Sequence, residues 1–355
     1  MAKIQFSPTL MYADNFPLLT NSTYLNTAYV GPMSLGLAAF RRKQEEEYVQ
    51  KGGVYKSLAY ETLEETHKSI AHFFGAQVDH TFVIPNFSVG IRHALSLFTK
   101  KLEVLMVEED YPSLEAAFEE GDFNLHKVPM LNNLEEVIEQ KLAKEKIDIL
   151  ALSIVQYASG LLIDIEFLKE LKERYPDLLI VGDGTQFLGA HYFHFDTAPF
   201  DVVVASGYKW MLAGFGNGVL MISQAYLDRV RQKKTALYQR VFNGHFNILA
   251  AASLHFAVSA FEEQGFDKLI RQKEKLTEKV KQTLSENEFI PPWVSHRKQH
   301  SSIFILEGKE NLYQDLLDQN IQCVKRGKGV RVSFHYYNTE EDLDKLISAL
   351  KNTIV

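Results

Sequence analysis

The 355-residue sequence has a single cysteine, Cys323, so no disulfide can form within the chain and no cysteine cluster can hold a metal. This sparing use of cysteine is typical of a reducing compartment, and we expect a cytoplasmic protein. Histidine spacings such as HExxH are also missing, which predicts that no catalytic metal is bound. No apolar run reaches the roughly 20 residues that span a bilayer, and the first residues lack the pattern of a signal peptide.

An excess of positive charge is missing as well. The formal net charge is −7, so nucleic acid is an unfavoured partner and small-molecule substrates are expected. Apolar residues make up 46% of the chain, as in an ordinary globular protein, and 355 residues favour two packed domains over one.

Short apolar runs alternate with helical patterns over most of the chain. Helices are expected at 33–50 and 60–75, and later ones begin near Ser88, Ser113, Leu134 and Ile165. The strand candidates are 81–85, 103–107, 148–155, 177–182, 201–206 and 218–223. This alternation predicts an α/β fold with a mainly parallel sheet covered on both faces.

The pattern changes after about residue 245. A strongly helical stretch is followed by a charged helix at 266–286. A strand at 302–306, a helix at 311–319, strands at 321–325 and 329–335, and a helix from Glu340 complete the chain. These elements predict a smaller α+β domain.

The segment from Leu178 to Ser223 carries the clearest chemical signal. Asp183 ends one predicted strand, Gln186 follows a short turn later, and Lys209 comes three residues after another strand. Ligands of open α/β sheets bind at the carboxyl ends of the strands. A lysine there can form an imine with the aldehyde of pyridoxal phosphate, while a carboxylate keeps the ring nitrogen protonated. Taken singly, Asp183 also fits a strand cap and Lys209 a solvated loop residue.

Three strings in this region, D-G-T-Q-F-L-G, A-S-G-Y-K-W and G-x-G-N-G-V-L, resemble the core of class V aminotransferases, a family that includes cysteine desulfurases, kynureninases and isopenicillin epimerases. The resemblance extends from Tyr24-Leu-Asn-Thr-Ala to Arg331-Val-Ser and Tyr337-Asn-Thr-Glu-Glu-Asp. It implies pyridoxal 5'-phosphate as cofactor, the fold type I architecture with a mainly parallel seven-stranded sheet, and a homodimer. Within that sheet the strand at 218–223 is expected to be antiparallel. We expect a large cofactor-binding domain at 15–245 and a small domain from 1–14 and 246–355.

The resemblance also implies which residues bind the cofactor. Catalysis is assigned to Lys209 and Asp183. The cofactor-binding residues are Phe87, Ser88, Tyr111, Gln156, Asp183, Gln186, Ser206, Tyr208, Lys209 and His245. Ser88, Ser206 and Tyr208 are phosphate contacts, Ser88 at a helix N-terminus that suits an anion. Tyr111 is the ring stacked on the cofactor, and Gln186 or Gln156 contacts its phenolic oxygen or imine side.

Other residues of the predicted site face the substrate or a neighbouring subunit. Arg331 is expected to hold the substrate α-carboxylate, while Ala28 and Tyr29 shape the side-chain pocket. His245 stands where the family has a phosphate contact donated by the neighbouring subunit. Taken singly, Arg331 also fits a strand arginine facing solvent, His245 a core or surface histidine, and Tyr111 a turn residue before Pro112.

One departure from the family bears on the reaction. Cysteine desulfurases carry a nucleophilic cysteine on a loop before the arginine, and here that loop is only Lys325-Arg-Gly-Lys-Gly. Cys323 lies in the preceding apolar strand, where it is expected to pack as a small hydrophobic residue. The sequence therefore favours an aminotransferase acting on α-amino and α-keto acids. A lyase or epimerase that needs no cysteine, or a cofactor-binding regulator without turnover, is the alternative.

Overall fold

The computed structural model describes residues 12–231, 234–242, 244–327 and 329–354. The strands are β1 (Thr23–Tyr24), β2 (Thr81–Ile84), β3 (Leu102–Val107), β4 (Phe123–Val128), β5 (Ile149–Ser153), β6 (Leu179–Asp183), β7 (Val202–Ser206), β8 (Gly218–Ile222), β9 (Ile303–Leu306), β10 (Ile321–Gln322), β11 (Val324–Arg326) and β12 (Gly329–Ser333).

The helices of the first half are α1 (Tyr12–Asn15), α2 (Leu18–Asn21), α3 (Leu35–Lys51), α4 (Gly53–Ser57), α5 (Ala59–Phe73), α6 (Phe87–Leu95), α7 (Pro112–Glu119), α8 (Leu134–Leu142) and α9 (Ile165–Arg174). Those of the second half are α10 (Gln224–Val230), α11 (Lys234–Val241), α12 (Ile248–Gln264), α13 (Phe266–Glu286), α14 (Pro292–His296), α15 (Leu312–Asp318) and α16 (Glu340–Ile354). No described helix is long and apolar enough to cross a membrane.

Several helices are preceded by a polar residue whose side chain caps the first turn. The side chains of Ser34, Asn86 and Asn247 accept hydrogen bonds from main-chain N–H groups in the first turns of α3, α6 and α12. Gly265 adopts a left-handed conformation with φ 77° and separates α12 from α13.

The central sheet has seven strands in the order β2-β8-β7-β6-β5-β3-β4. Strands β3 to β7 pair in parallel, and β8 is antiparallel to both of its neighbours. This confirms the predicted mainly parallel sheet and its antiparallel strand. The predicted strand candidates did not include β4, which pairs with β3 at the sheet edge and mixes polar with apolar residues.

Both faces of the sheet are covered, because its inner strands are apolar at nearly every position. In β3, Leu105 and Val107 enter one hydrophobic cluster while Val104 and Met106 enter the other. Along the chain, β4 is added beside β3 on one side of the sheet, whereas β5, β6 and β7 are added one after another on the other side. The direction in which strands are added therefore reverses between β3 and β5. Ligands of open α/β sheets bind at such a reversal, beyond the carboxyl ends of the strands.

The C-terminal part contains the antiparallel sheet β11-β12-β9 and the parallel pair β1-β10. Val330, Val332 and Phe334, alternate residues of β12 and its continuation, lie in one hydrophobic cluster with residues of α13, α15 and α16. Strand β1 from the N-terminal segment belongs to this part, whereas α12 packs Leu254 and Val258 into the core of the large sheet. We propose that the domain boundary follows α12, later than the predicted residue 245.

Candidate active site

Asp183 and Lys209 lie together at the carboxyl end of the sheet. Asp183 is the last residue of β6, Lys209 follows the end of β7 by three residues, and these two strands are parallel neighbours. Both side chains are buried, with 4% of Asp183 and 8% of Lys209 exposed. The predicted lysine and carboxylate thus occupy one buried site.

Burial changes the protonation of both groups in opposite directions. Burial lowers the pKa of Lys209, and the nearby guanidinium groups of Arg331 and Arg326 lower it further, while Asp183 raises it. Burial raises the pKa of Asp183, against hydrogen bonds from Thr185 and the charge of Lys209. A buried amine with a lowered pKa is suited to act as a nucleophile or as a base near neutral pH.

A chain of hydrogen bonds fixes the carboxylate relative to the neighbouring elements. The Thr185 N–H donates to Asp183 Oδ1 at 2.8 Å, and the Ser206 N–H donates to Thr185 Oγ1 at 3.2 Å. The Phe87 N–H in turn donates to Ser206 Oγ at 2.9 Å. This chain joins the ends of β6 and β7 to the first turn of α6.

The N-terminus of α6 lies next to this series of hydrogen bonds. Asn86 accepts a hydrogen bond from the Val89 N–H, and the Ser88 and Ser113 hydroxyls are 2.9 Å apart. Because Ser206 Oγ accepts the Phe87 N–H, its own O–H remains available to donate. Hydroxyl donors beside a helix N-terminus favour an anion, as predicted for the phosphate.

Aromatic rings surround the lysine amine. Lys209 Nζ lies 5.9 Å from the centre of the Tyr111 ring and 5.7 Å from that of Tyr208. Tyr111 contacts Phe87 and Tyr157 edge-on, with 5.7 Å between ring centres in each pair, and Tyr208 stacks on Phe215 at 5.1 Å. The predicted ring Tyr111 is therefore next to the amine, where a flat cofactor ring could stack on it.

Asp110 supports Tyr111 from the loop after β3, a role that the sequence analysis missed. Its carboxylate accepts hydrogen bonds from the N–H groups of Tyr111 at 2.7 Å and Ser153 at 2.8 Å, and from the Ser153 hydroxyl at 2.5 Å. Burial nevertheless raises the pKa of Asp110. The sequence signal was an acidic residue three positions after a buried strand, beside the selected Tyr111.

The two predicted glutamines are both buried and both held by protein groups. Gln156 Oε1 accepts the N–H groups of Ala158 and Ser159, and its Nε2 donates to the Glu109 carbonyl at 3.2 Å. Gln186 Nε2 donates to the Ala28 carbonyl at 2.9 Å, and its Oε1 accepts from Trp210 Nε1 at 2.7 Å. A direct contact of either glutamine with the cofactor stays a prediction.

The N-terminal segment passes close to Lys209. The Gly31 N–H donates to the Tyr208 carbonyl at 2.9 Å, and a Cβ atom at Gly31 would lie 2.2 Å from the Lys209 carbonyl oxygen, so only glycine fits there. Ala28 is buried and held through its main chain by Ser333 and Gln186, while 52% of Tyr29 is exposed. Both predicted substrate-side residues thus lie at the site.

Two non-glycine residues at the site adopt left-handed backbone conformations. Glu109 has φ 55° immediately before Asp110, and Leu212 has φ 54° three residues after Lys209. Such conformations cost on the order of 1 kcal/mol and persist where surrounding contacts impose them, often at functional sites.

Arg331 reaches the site from β12 in the C-terminal part. Only 2% of its surface is exposed, and Nη1 donates to the Tyr157 carbonyl at 2.5 Å. Its Nη2 is buried without a hydrogen-bond partner among the described residues. A buried guanidinium with unused donors is a binding position for a carboxylate.

His245 lies apart from these residues. It is exposed, in a cleft with Tyr48, Tyr55 and Tyr60 on the outer side of α3 to α5. Its predicted contact with a cofactor would have to involve a second subunit.

Cys323 is buried between β10 and β11 in the hydrophobic cluster of the C-terminal part. Burial raises the pKa of its thiol to about 12, so it stays protonated and unreactive near neutral pH. This agrees with the expectation that Cys323 packs as a hydrophobic residue.

Comparisons with known proteins match the chain to one protein family and to individual aminotransferase, cysteine desulfurase and C–S lyase relatives. The model of the family described as aminotransferase class V matches residues 41–346. The chain is 21% identical over 363 residues, covering 96% of each protein, to an uncharacterized aminotransferase, YcbU, of Bacillus subtilis (strain 168). It is 23% identical to a probable cysteine desulfurase of Pyrococcus abyssi (strain GE5 / Orsay), covering 85% of this chain and 86% of that protein. The solved complex of the cystine C–S lyase C-DES with its reaction product cysteine persulfide matches with a TM-score of 0.85 and 16% identity, covering 95% of this chain and 99% of that one.

Proposed function

The chain belongs to the aminotransferase class V family, and from its site we propose that it transfers the amino group of an α-amino acid to an α-keto acid. Its cofactor is pyridoxal 5'-phosphate, as the resemblance predicted. The observation that carries the proposal is the buried, unpartnered Nη2 of Arg331 beside the buried amine of Lys209. An amino-acid substrate would bring the carboxylate that this arginine lacks.

The described residues fit this cofactor. Lys209 offers a buried amine for the aldehyde, Asp183 a buried carboxylate for the ring nitrogen, and Tyr111 a ring face for stacking. Ser88 in the first turn of α6 and Ser206 at the end of β7, which accepts the Phe87 N–H, would hold the phosphate. When bound, pyridoxal phosphate accepts the electron pair left behind as a bond to the substrate Cα breaks.

The protein would then bind the substrate and move one proton. Arg331 would fix the α-carboxylate through its unused donors, and Tyr29 with Ala28 would border the side chain. Lys209 Nζ would take the proton from the substrate Cα and deliver it to the carbon of the cofactor that carried the aldehyde, which its lowered pKa supports. Asp183 would keep its charge beside a cation, because the opposite charge favours the ionised carboxylate.

A second candidate is a lyase that eliminates a sulfur leaving group without a protein thiol. The likeness to the C–S lyase C-DES favours it over a cysteine desulfurase with its own cysteine nucleophile, because Cys323 is buried and protonated. Lys209, Asp183 and Arg331 would serve both reactions in the same roles. Only the fate of the substrate after Cα deprotonation differs.

A spectroscopic titration separates the two. The protein loaded with pyridoxal phosphate is mixed with single amino acids, without a keto acid, and the visible absorbance of the bound cofactor is followed together with ammonia release. An aminotransferase loses the absorbance once and yields one equivalent of keto acid per site without ammonia. Continuous ammonia and keto acid formation with retained absorbance would contradict the aminotransferase and support the lyase.

We propose in addition a cytoplasmic homodimer in which His245 reaches the cofactor phosphate of the other subunit, as the resemblance implies. Its exposure in the cleft beside α3 to α5 supports a place at a subunit interface. Light scattering should give about twice the chain mass of 40.6 kDa, and a monomer would contradict the proposal.

A further inference from the structure

Arg326 is a second arginine on the hairpin that carries Arg331. Strands β11 and β12 pair antiparallel, with Val324 opposite Arg331 and Arg326 opposite Gly329. Directly opposed residues point to the same face, and so do alternate residues along one strand. Arg326 and Arg331 therefore lie on one face as diagonal neighbours, about 7–8 Å apart at their backbones.

This face is the one turned away from the hydrophobic cluster of the C-terminal part. Val330 and Val332, on the opposite face, enter that cluster. Arg331 instead donates to the Tyr157 carbonyl beside Tyr111, and the charges of both arginines lower the pKa of Lys209. Arg326 thus lies on the substrate side of the candidate active site.

The Arg326 guanidinium has a defined position but makes little use of its hydrogen-bond donors within the described part of the protein. Its Cζ lies 5.7 Å from the centre of the Tyr29 ring, and its Nη1 has only a long 3.4 Å hydrogen bond to the adjacent Lys325 carbonyl. Its Nε is buried without a hydrogen-bond partner among the described residues. Packing against an aromatic ring orients a guanidinium and leaves its N–H edge for a planar anion.

No carboxylate of the protein neutralises this pair of arginines within the described chain. The groups that shift the pKa of Arg331, apart from burial, are Arg326, Tyr157 and Tyr208. Two neighbouring guanidinium groups repel each other unless anions lie between or beside them. The substrate α-carboxylate would be one such anion, bound by Arg331. A second anionic group would be needed to neutralise Arg326.

We propose that Arg326, oriented by Tyr29, binds the side-chain carboxylate of a dicarboxylic α-amino acid whose α-carboxylate is held by Arg331. This inference rests on the proposed function and adds the substrate class to it. An apolar side chain would desolvate Arg326 without providing an acceptor, so such substrates are disfavoured. The matching keto acid would be dicarboxylic as well.

The test measures binding of acids that lack an amino group and cannot react. Calorimetry on the protein loaded with pyridoxal phosphate compares succinate and glutarate with butyrate, and with 3-phosphonopropionate as the phosphate-like alternative. The tighter of the two dicarboxylates should bind at least tenfold more tightly than butyrate. Arg326→Gln should reduce this ratio to within twofold.

Lys325→Gln is the matched control, because Lys325 is exposed and points to the other face of the same hairpin while the substitution removes the same charge. It should leave the ratio unchanged. Equal binding of butyrate and both dicarboxylates, or a ratio insensitive to Arg326→Gln, would overturn the inference. Tighter binding of 3-phosphonopropionate than of both dicarboxylates would overturn the choice of a carboxylate.

Failure of this inference can be distinguished from failure of the proposed function. If the protein binds pyridoxal phosphate and converts monocarboxylic amino acids in the half-reaction but shows no dicarboxylate preference, only the role of Arg326 is wrong. If no amino acid changes the absorbance of the bound cofactor, the proposed function fails first.

Discussion

The indole Nε1 of Trp210 donates a 2.7 Å hydrogen bond to Oε1 of Gln186, which ties the residue after Lys209 to the loop after Asp183. Gln186 passes the connection on to the Ala28 carbonyl, on the substrate side of the site. One buried amide thus joins the lysine loop, the carboxylate loop and the N-terminal segment. Through these two hydrogen bonds Gln186 positions the three segments relative to one another.

Replacing this amide should destabilise the protein. Gln186→Leu leaves Trp210 Nε1 and the Ala28 carbonyl buried without partners, which should lower the free energy of unfolding by about 1–3 kcal/mol in urea titrations. The exposed Gln264→Leu should change it by no more than about 0.5 kcal/mol. Unchanged stability with a shifted absorbance maximum of the bound cofactor would instead indicate the direct cofactor contact predicted from the sequence.

Removing the charge of Asp183 should separate cofactor binding from catalysis. Asp183→Asn keeps an acceptor for the Thr185 N–H, so the cofactor should still bind, while turnover falls by orders of magnitude because the ring nitrogen loses its carboxylate. Asp201→Asn is the control, since Asp201 is equally buried but precedes β7 at the opposite end. Normal turnover in Asp183→Asn would remove its predicted role.

Arg331 should affect substrate affinity more than the chemical step. Arg331→Gln removes the paired donors for the α-carboxylate, and KM for amino acids should rise by roughly 30- to 1000-fold, or about 2–4 kcal/mol. Steady-state kinetics over a wide concentration range measure this. A KM equal to that of the unchanged protein would contradict carboxylate binding by Arg331.

A buried histidine should make stability depend on pH. Burial lowers the pKa of His67 to about 4, and its Nε2 accepts the Val83 N–H, so the folded protein holds it neutral. The unfolded chain takes up this proton below a pKa of about 6.5, so stability is complete above that pH and is lost as pH falls toward 4. Between pH 7 and 5 the loss should be about 2 kcal/mol.

Urea titrations at both pH values test this dependence. His67→Gln should remove that part of the loss, because glutamine can accept the same N–H without titrating. His72→Gln, at a side chain that is 86% exposed, should not change it. An identical pH dependence in His67→Gln and the unchanged protein would contradict the assignment.

The sequence predicted the inner strands well because they are apolar at consecutive positions, as strands buried on both faces are. It missed β4 because an edge strand needs only one partner and tolerates residues such as Asn124 and Lys127. We propose a domain boundary after α12, later than the expected residue 245, and the helical pattern of α12 alone does not reveal which core its apolar residues enter. Packing between distant segments decides that.

The candidate active site was likewise predicted only in part, because contacts between distant segments are not visible in the sequence. Lys209, Asp183 and Tyr111 were found because their order along the chain resembles a family pattern, and the structure brings them together. Asp110 and Trp210 were missed because their partners, Ser153 and Gln186, lie 43 and 24 positions away. Arg326 became visible only through the register of β11 and β12.

The central claim is that Lys209 carries the cofactor, and borohydride reduction followed by peptide mass mapping tests it most directly. Reduction of the loaded protein should fix pyridoxal phosphate on the peptide that contains Lys209, and Lys209→Ala should leave no label. Lys273 is the internal control, because it is also fully buried and burial lowers its pKa to about 8. A label on Lys273, or a label that persists in Lys209→Ala, would contradict the account.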